Sequence, residues 1–323
     1  MSAARLLGSG RRQGSTGRVL GLHVDGPRIE VGILAADGAW LYRATLPTEA
    51  EHGVAAVVDA VLAGATDLTR RFAPDAAGVV VPGLVDEASG LALFSANLRW
   101  RDIPFPHWLA EELGIPVVLG HDVRAAALAE ARFGAGRGCR SFLYVSLGDG
   151  VAAATVLDGR VLAGGHGRAG EIGHVVVRPD GPLCGCGLRG CVESLAGAPA
   201  LVRQYREAGG PPGLTAPEIL RRPGSDSAAE AARAAAVDAL AAGLGPVIAL
   251  LDPRRLVLGG PLLQGVDVGH LDRLHDALAR RLGVPTLPDL QPAQLGATAA
   301  CLGAALLARR ETGQVCRMPF LPS

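Results

Sequence analysis

The chain has 323 residues, with 31 basic side chains, 31 acidic side chains and 19% charged residues. These values describe a neutral globular protein with room for two domains, and a net charge of zero argues against a dedicated nucleic-acid binder. All the basic residues are arginine, so no catalytic lysine is available. We expect a cytoplasmic protein, because the N-terminus has no apolar segment typical of an export signal.

The N-terminal half begins with β-structure. Residues 1–17 are small, polar and basic, and we expect a disordered tail there. Apolar segments separated by turn residues predict three β-strands: 19–24, 28–34 and 40–45. A helical period and two further apolar segments follow them: a helix at 54–71 and strands at 78–81 and 116–119.

The second half repeats this pattern. Apolar strands with Asp-Gly turns recur: 141–147, 151–157 and 160–161, with a further strand at 255–258. The repeat indicates two similar α/β domains with a cleft between them, where small ligands usually bind. Chance similarity of glycine-rich hairpins is the alternative. We expect an N-terminal domain at 18–122, completed by a C-terminal helix within 297–323, and a larger domain at 123–296.

Three helices are predicted in the last hundred residues: 227–251, 270–282 and 297–310. The longest uncharged run, 290–308, has the length of a membrane span. It contains polar residues and a proline, so a buried helix fits it better, and we expect no membrane partner.

One glycine-rich loop holds the strongest signal in the chain. His174, Cys184, Cys186 and Cys191 offer one imidazole and three thiolates, and intervening glycines allow the backbone to fold around an ion. This set suits tetrahedral Zn²⁺. Because four protein ligands leave no position for water, the metal is predicted to be structural. Unligated thiols and a core histidine are the alternative.

The same loop carries two carboxylates, Glu171 and Glu193. A zinc ion would fix both beside His174, whose second ring nitrogen stays available to a ligand. Carboxylates that accept hydrogen bonds are suited to a polyhydroxylated ligand. Surface salt bridges are the alternative for either glutamate alone.

At this point the residues match a known family. The stretch 164–193, GGHGRAGEIGHVVVRPDGPLCGCGLRGCVE, resembles the zinc-containing signature of the ROK family, which comprises repressors, open reading frames and sugar kinases. Weaker similarities extend over most of the chain: VPGLVD at 81–86, SANLRW at 95–100, HDVRAAALAE at 121–130 and LDPRRLVLGG at 251–260. The resemblance implies a two-domain hexokinase/actin-like fold, a duplicated ribonuclease H-like architecture, with a structural zinc loop.

The resemblance also implies roles for individual residues. Asp122 is the expected base that takes the proton of a sugar hydroxyl, although its position before the helix 123–133 also suits an N-cap. The other expected sugar-binding residues are Gly83, Asn97, His121, Glu171, His174 and Glu193. The nucleotide is expected to contact glycines: Gly26, Gly148, Gly150, Gly259 and Gly260.

The chain departs from the family mainly on the nucleotide side. The kinases have Asp-x-Gly-Gly-Thr in the first hairpin, where this chain has His23, Asp25, Gly26 and Pro27. Proline removes a hydroxyl and an amide donor. Asp149 puts a carboxylate in the second phosphate loop, which costs about 1 kcal/mol unless Mg²⁺ or an arginine compensates.

Two functions therefore compete. The first is an ATP-dependent kinase of a hexose or N-acetylhexosamine, with ATP, Mg²⁺ and a weakened nucleotide site. The second is a sugar sensor or ROK-type regulator that lacks a helix-turn-helix domain, since the residues before Arg18 are too few to form one. His121 favours the sensor, because the kinases usually have asparagine there. We expect a sugar ligand and a homo-oligomer, and no direct contact with nucleic acid unless the N-terminus is truncated.

Overall fold

The structure, a computed structural model, describes residues 16–95, 97–264, 269–283 and 286–311. The chain forms two compact units, the first made of Met1–Ala125 and Cys301–Ser323 and the second of Ala126–Ala300. Residues 1–15 of the predicted tail and 312–323 of the predicted C-terminal helix lie outside the described residues. Thr16 and Gly17, which we had placed in the tail, donate their backbone amides to the Asp75 carboxylate at 3.1 and 2.7 Å.

Most strands are short, and the predicted ones are present. In the described part of the chain the strands are β1 (Val19–Asp25), β2 (Arg28–Leu34), β3 (Trp40–Pro47), β4 (Ala76–Val81), β5 (Leu84–Asp86), β6 (Leu91–Ser95), β7 (Trp100–Ile103), β8 (Val117–His121), β9 (Phe142–Leu147), β10 (Val151–Leu157), β11 (Arg160–Val161), β12 (Arg255–Gly259) and β13 (Asp289–Pro292). The sequence analysis had not assigned β5, β6, β7 or β13. Each of these has only three to five residues, too few to show a hydrophobic period.

The helices of the described residues are α1 (Val54–Phe72), α2 (Phe105–Leu113), α3 (Asp122–Phe133), α4 (Val192–Ala196), α5 (Ala198–Glu207), α6 (Ala216–Leu220), α7 (Ser227–Leu251), α8 (Gly269–Ala279) and α9 (Ala299–Glu311). By length and composition α7 could cross a membrane. Its buried residues, among them Leu240, Leu244 and Ile248, pack instead in the core of the second unit. Core helices of globular proteins can have the same length and apolar composition as a membrane span. We therefore interpret α7 as a core helix of the second unit.

The two main sheets have the same topology. Their strand orders are β3-β2-β1-β4-β8 and β11-β10-β9-β12-β13. In each sheet an antiparallel three-stranded meander is followed by two parallel strands. The predicted duplication is therefore confirmed. A third sheet, β5-β6-β7, lies in the connection between β4 and β8 and has no counterpart among the described sheets of the second unit.

Helices cover the first sheet. Along α1 the buried residues Val57, Val61, Ala65 and Leu68 form one face, as the helical period predicted. On α9 the backbone comes very close to the strands: a Cβ at Gly78 would lie 2.1 Å from the Ala304 carbonyl oxygen. A glycine is therefore required at that point of β4.

A buried carboxylate organises part of the second unit. Glu130 is fully buried, and its Oε1 accepts from the backbone amides of Gln294 and Leu295 at 3.0 and 2.8 Å. Its Oε2 accepts from the amide of Ala135 at 2.7 Å. These charge-assisted bonds attach the end of α3 to the segment that follows β13.

Candidate functional site

The first group of site residues lies at one edge of the first sheet. Strands β1, β4 and β8 are parallel, and their registers pair His23 with Val80 and Val81 with His121. Asp122 follows β8 directly, and Gly83 lies two residues after the end of β4. The carboxyl ends of parallel strands are the usual ligand-binding edge of an open α/β sheet.

Asp122 is held by its immediate neighbours. The helix α3 begins at Asp122 itself, one residue earlier than predicted, so this residue is the first of the helix and not its cap. Its Oδ1 accepts from the Val123 amide at 2.6 Å and lies 3.2 Å from Nδ1 of His121. The side chain is 16% exposed. A partly buried carboxylate with one bonded oxygen keeps lone pairs for a ligand hydroxyl.

His23 lies on the other side of this carboxylate. Its Nε2 is 4.0 Å from Oδ2 of Asp122, and its Nδ1 is 3.9 Å from Oε2 of Glu30. Burial acts to lower the pKa of His23, but the carboxylates of Glu30, Asp122 and Asp25 outweigh it and hold the pKa above the ordinary 6.5. Burial raises the pKa of Asp25.

Sequence reasoning had noted His23 only as a departure from the family and had missed Glu30. A signal was available, since counting outward from the Gly26-Pro27 turn places these two residues opposite each other.

Gly83 and Asn97, the other predicted sugar residues of this unit, lie near the β6 strand. Gly83 has φ +94°, and a Cβ there would lie 2.2 Å from the Phe94 carbonyl oxygen, so only glycine fits. Asn97 is exposed in the turn between β6 and β7. Thus Gly83 contacts the strand that leads to Asn97.

The predicted nucleotide residues occupy equivalent turns of the two units. Gly26, with φ +48°, lies in the β1–β2 turn, where a Cβ would meet no atom within 4 Å. Gly148 and Gly150 lie in the β9–β10 turn, which the Gly148 amide closes on the Gly150 carbonyl oxygen at 2.9 Å. Gly259 pairs with Ser146, and a Cβ at Gly260 would lie 2.3 Å from the Leu147 carbonyl oxygen, so both are close to this turn.

A cavity of about 600 Å³ lies beside this second turn. Its lining includes the exposed Asp149 and two arginines of α5, Arg203 and Arg206. Arg203 donates to the Ser194 carbonyl oxygen at 2.8 Å. No sequence pattern had connected these arginines with Asp149, because α5 reaches the turn only through the fold.

Three of the four predicted zinc ligands are brought together in one group. The ligand atoms of His174, Cys184 and Cys186 all lie within 4.8 Å of one another. Nδ1 of His174 is 3.6 Å from Sγ of Cys184, and Sγ of Cys186 is 3.7 Å from Sγ of Cys191. In a tetrahedral zinc site, bond lengths of about 2.3 Å to sulfur and 2.0 Å to nitrogen separate two sulfurs by about 3.8 Å and a sulfur and a nitrogen by about 3.5 Å.

The donor types and these two distances therefore suit zinc. Cys191 lies close to Cys186 but is not in the group of three whose ligand atoms all lie within 4.8 Å of one another. Burial, followed by the neighbouring thiols, raises the pKa of Cys191 to about 12. A hydrogen bond from the Leu188 amide lowers the pKa of Cys186. Since zinc binds thiolates, binding has to displace these protons, and zinc affinity rises with pH.

The two glutamates flank this cluster. Oε2 of Glu171 is 3.9 Å from Nε2 of His174, the ring nitrogen that points away from Cys184. Oε1 of Glu193 is 3.7 Å from Sγ of Cys184, and its Oε2 accepts from the Val151 amide at 3.2 Å. Both carboxylates and the imidazole thus share one site in the second unit, while Asp122, His121 and His23 share one in the first.

The sequence and the fold have well-characterised relatives. Residues 19–311 match the model of the ROK family. A glucokinase of Streptomyces coelicolor is 31% identical over 314 residues, which cover 91% of this chain and 98% of that protein. An N-acetylmannosamine kinase of Vibrio cholerae is 31% identical over 292 residues, covering 89% and 98%.

A solved structure is similar as well. The ROK glucokinase of Streptomyces griseus, crystallised with glucose and AMPPNP, superposes with a TM-score of 0.80 at 29% identity. The match covers 91% of this chain and 99% of that one.

Proposed function

Because this chain belongs to the ROK family, we propose that it transfers the γ-phosphoryl group of ATP to a hydroxyl of a hexose or an N-acetylhexosamine. The observation that carries the proposal is Asp122, a partly buried carboxylate at the carboxyl edge of parallel strands. The glucokinase and N-acetylmannosamine kinase relatives support this class of substrate.

In the proposed reaction Asp122 accepts the proton of the attacking sugar hydroxyl. The hydroxyl oxygen bonds to the γ-phosphorus while the bond from that phosphorus to the bridging oxygen breaks, and ADP leaves with the electron pair. The roles implied by the family resemblance are that Glu171, His174 and Glu193 accept hydrogen bonds from other hydroxyls, and that Gly83, Asn97 and His121 complete the sugar pocket.

We place the nucleotide at the glycine turns, with its charged part near the cavity beside Asp149. Gly148, Gly150, Gly259 and Gly260 permit a close approach in the second unit, and the family resemblance implies a contact with Gly26 as well. Arg203 and Arg206 line the same cavity as Asp149. Glu207 lines it as well and lies 3.6 Å from Arg203, so Asp149 remains a source of repulsion for a phosphate. When bound, Mg²⁺ neutralises part of the triphosphate charge, on which phosphoryl transfer depends.

We also propose a structural zinc ion held by His174, Cys184, Cys186 and Cys191. The S–S and S–N distances and the donor set support it. Four protein ligands leave no open position, so the ion stabilises the loop that carries Glu171 and Glu193. We further propose that the protein is cytoplasmic and forms a homo-oligomer. Light scattering on the purified protein tests the oligomeric state.

The deciding experiment measures ATP consumption over a panel of hexoses and aminosugars, with sugar binding measured by calorimetry in parallel. Turnover with a member of the panel supports the kinase. Binding without turnover contradicts it and supports the sensor, which Pro27, Asp149 and His121 favour. The matched control is the Asp122→Asn variant, which is expected to bind the sugar and to lack turnover.

A further inference from the structure

A compact charged cluster surrounds His23 on the first sheet. The β1–β2 register places His23 directly opposite Glu30, so both side chains lie on the same face. Gly21 shares this face two residues earlier, and a Cβ there would lie 2.4 Å from the Cys301 carbonyl oxygen of α9. His23 is 8% exposed. The imidazole is therefore enclosed by protein at the edge where Asp122 lies.

Most of the groups that face this imidazole are carboxylates. Within the described residues, β1 contributes Asp25, β2 contributes Glu30 and α3 contributes Asp122. Strand β4 presents the apolar Val80, and α9 contributes the buried thiol of Cys301, whose pKa is raised by burial. Three acidic groups thus meet one imidazole.

Three further charged or titratable side chains adjoin the cluster. Arg28 is half-exposed and lies 3.8 Å from Asp25. Arg43 of β3 is exposed and interacts electrostatically with Cys301. His121 contacts Asp122 on the side that does not face His23. None of the three contacts the His23 ring in the described structure, so the imidazole is the buried group placed to balance the carboxylates.

Two buried atoms of the cluster have no hydrogen-bond partner among the described residues: Nδ1 of His23 and Oε2 of Glu30. They lie 3.9 Å apart, too far for a hydrogen bond but close enough for a strong charge interaction at low dielectric. A neutral imidazole would leave both atoms uncompensated. An imidazolium compensates Glu30 through Nδ1 and Asp122 through Nε2.

We propose that His23 is a positioning residue for Asp122: its imidazolium faces Oδ2 and orients the carboxylate while Val123 holds Oδ1. This inference rests on the proposed kinase function.

The pH dependence follows from the sign of the perturbation. The pKa of His23 is raised, so its proton is present below 6.5 and is lost as pH rises through the folded-state value. Loss of the proton removes the charge that holds Asp122. Turnover is therefore expected to decline along an alkaline limb that reports His23, while sugar affinity changes little.

The first test needs no turnover. The ring nitrogens of ¹⁵N-histidine-labelled full-length protein are followed by NMR from pH 5 to 9. We expect the His23 resonances to titrate above 6.5, and its pKa to fall in both Asp122→Asn and Glu30→Gln. The matched control, Glu111→Gln on α2, is expected to leave it unchanged. A His23 that titrates below 6.5, or whose pKa is unaffected by both variants, overturns the proposal.

The second test uses His23→Gln. The glutamine amide keeps a hydrogen-bond donor at this position but carries no charge that titrates. We expect kcat to fall on the order of 10- to 100-fold with little change in the sugar KM, and the alkaline limb to disappear. His275→Gln, an exposed histidine on α8, is the control and should keep the wild-type profile. An alkaline limb that persists in His23→Gln overturns the proposal. If the wild type shows no turnover, the proposed kinase function is wrong. The NMR titration still tests the charge interaction between His23 and Asp122.

Discussion

Asp122 is the residue on which the proposed chemistry depends, and its contacts allow a clean substitution. The Val123 amide donates to Oδ1, a bond that the carbonyl oxygen of asparagine can also accept. Asp122→Asn therefore keeps the local hydrogen bond, while it removes the capacity to take a proton and the negative charge that faces His23.

We expect Asp122→Asn to lower kcat by about 10²-fold or more, because a general base contributes at least this much. Sugar affinity should change little. Steady-state kinetics and calorimetry on the same preparation check both values. A rate close to that of the wild type would leave Asp122 with a purely structural role at the start of α3.

Glu171 is the better of the two glutamates for testing sugar binding. Glu193 also accepts from the Val151 amide, so its removal disturbs the β9–β10 hairpin as well as the ligand site. Glu171 is 32% exposed, and its Oε2 lies 3.9 Å from Nε2 of His174.

Glu171→Ala is expected to weaken sugar binding by about 1–3 kcal/mol, the usual value of a hydrogen bond to a charged group. That range corresponds to roughly a 5- to 150-fold increase in Kd. Calorimetric titration measures it, with the exposed Glu111→Ala as control. Unchanged affinity would place the sugar site elsewhere.

At the scale of structural elements, we expect the loop with the proposed zinc ligands to connect stability with ligand binding. Cys191 forms a β-bridge with Val176 and directly precedes α4, the helix that carries Glu193. Fixing Cys191 therefore fixes the start of that helix. Glu171 belongs to the same loop through its contact with His174.

We predict about one zinc ion per purified chain and its loss in Cys186→Ser, together with a lower Tm and weaker sugar binding. Inductively coupled plasma mass spectrometry, thermal unfolding and calorimetry measure the three effects. Cys139→Ser serves as control, because this thiol lies outside the cluster and donates to the Ser141 carbonyl oxygen, as a hydroxyl can. Folded wild-type protein without zinc would disprove the prediction.

At the scale of the whole molecule, the duplicated topology provides two equivalent hairpin turns. One contains Gly26-Pro27 and the other contains Gly148-Asp149-Gly150. The first departs from the kinase pattern by losing a donor, and the second by gaining a negative charge. Both changes weaken the same proposed interaction, that with the triphosphate.

Restoring the two turns should strengthen ATP binding. Asp149→Thr removes a repulsion of about 1 kcal/mol and is expected to lower the KM for ATP roughly fivefold. Adding Pro27→Thr returns an amide and a hydroxyl and should lower it further. Kinetics at low and high salt measure the effect, which salt should reduce. A KM that stays unchanged in the double variant at low salt would mean that neither turn contacts the nucleotide.

The sequence by itself determined the features that depend on short stretches of chain. Hydrophobic periods and Asp-Gly turns predicted the hairpins of both sheets, and their repetition predicted the shared topology. The proposed zinc ligands could be predicted from the sequence because they occupy one loop, and their donor types and spacing are typical of a zinc site. Asp122 and Glu171 were proposed from motifs of the same local kind.

Only the tertiary structure decided which distant groups meet. Counting residues outward from the β1–β2 turn predicts that His23 and Glu30 lie opposite each other. Their proximity to Asp122 depends on the pairing of β1, β4 and β8. The arginines of α5 reach the cavity of Asp149 through helix packing. The physical reason is that charge interactions and pKa shifts depend on distance and burial in three dimensions, whereas a sequence pattern records only neighbours along the chain.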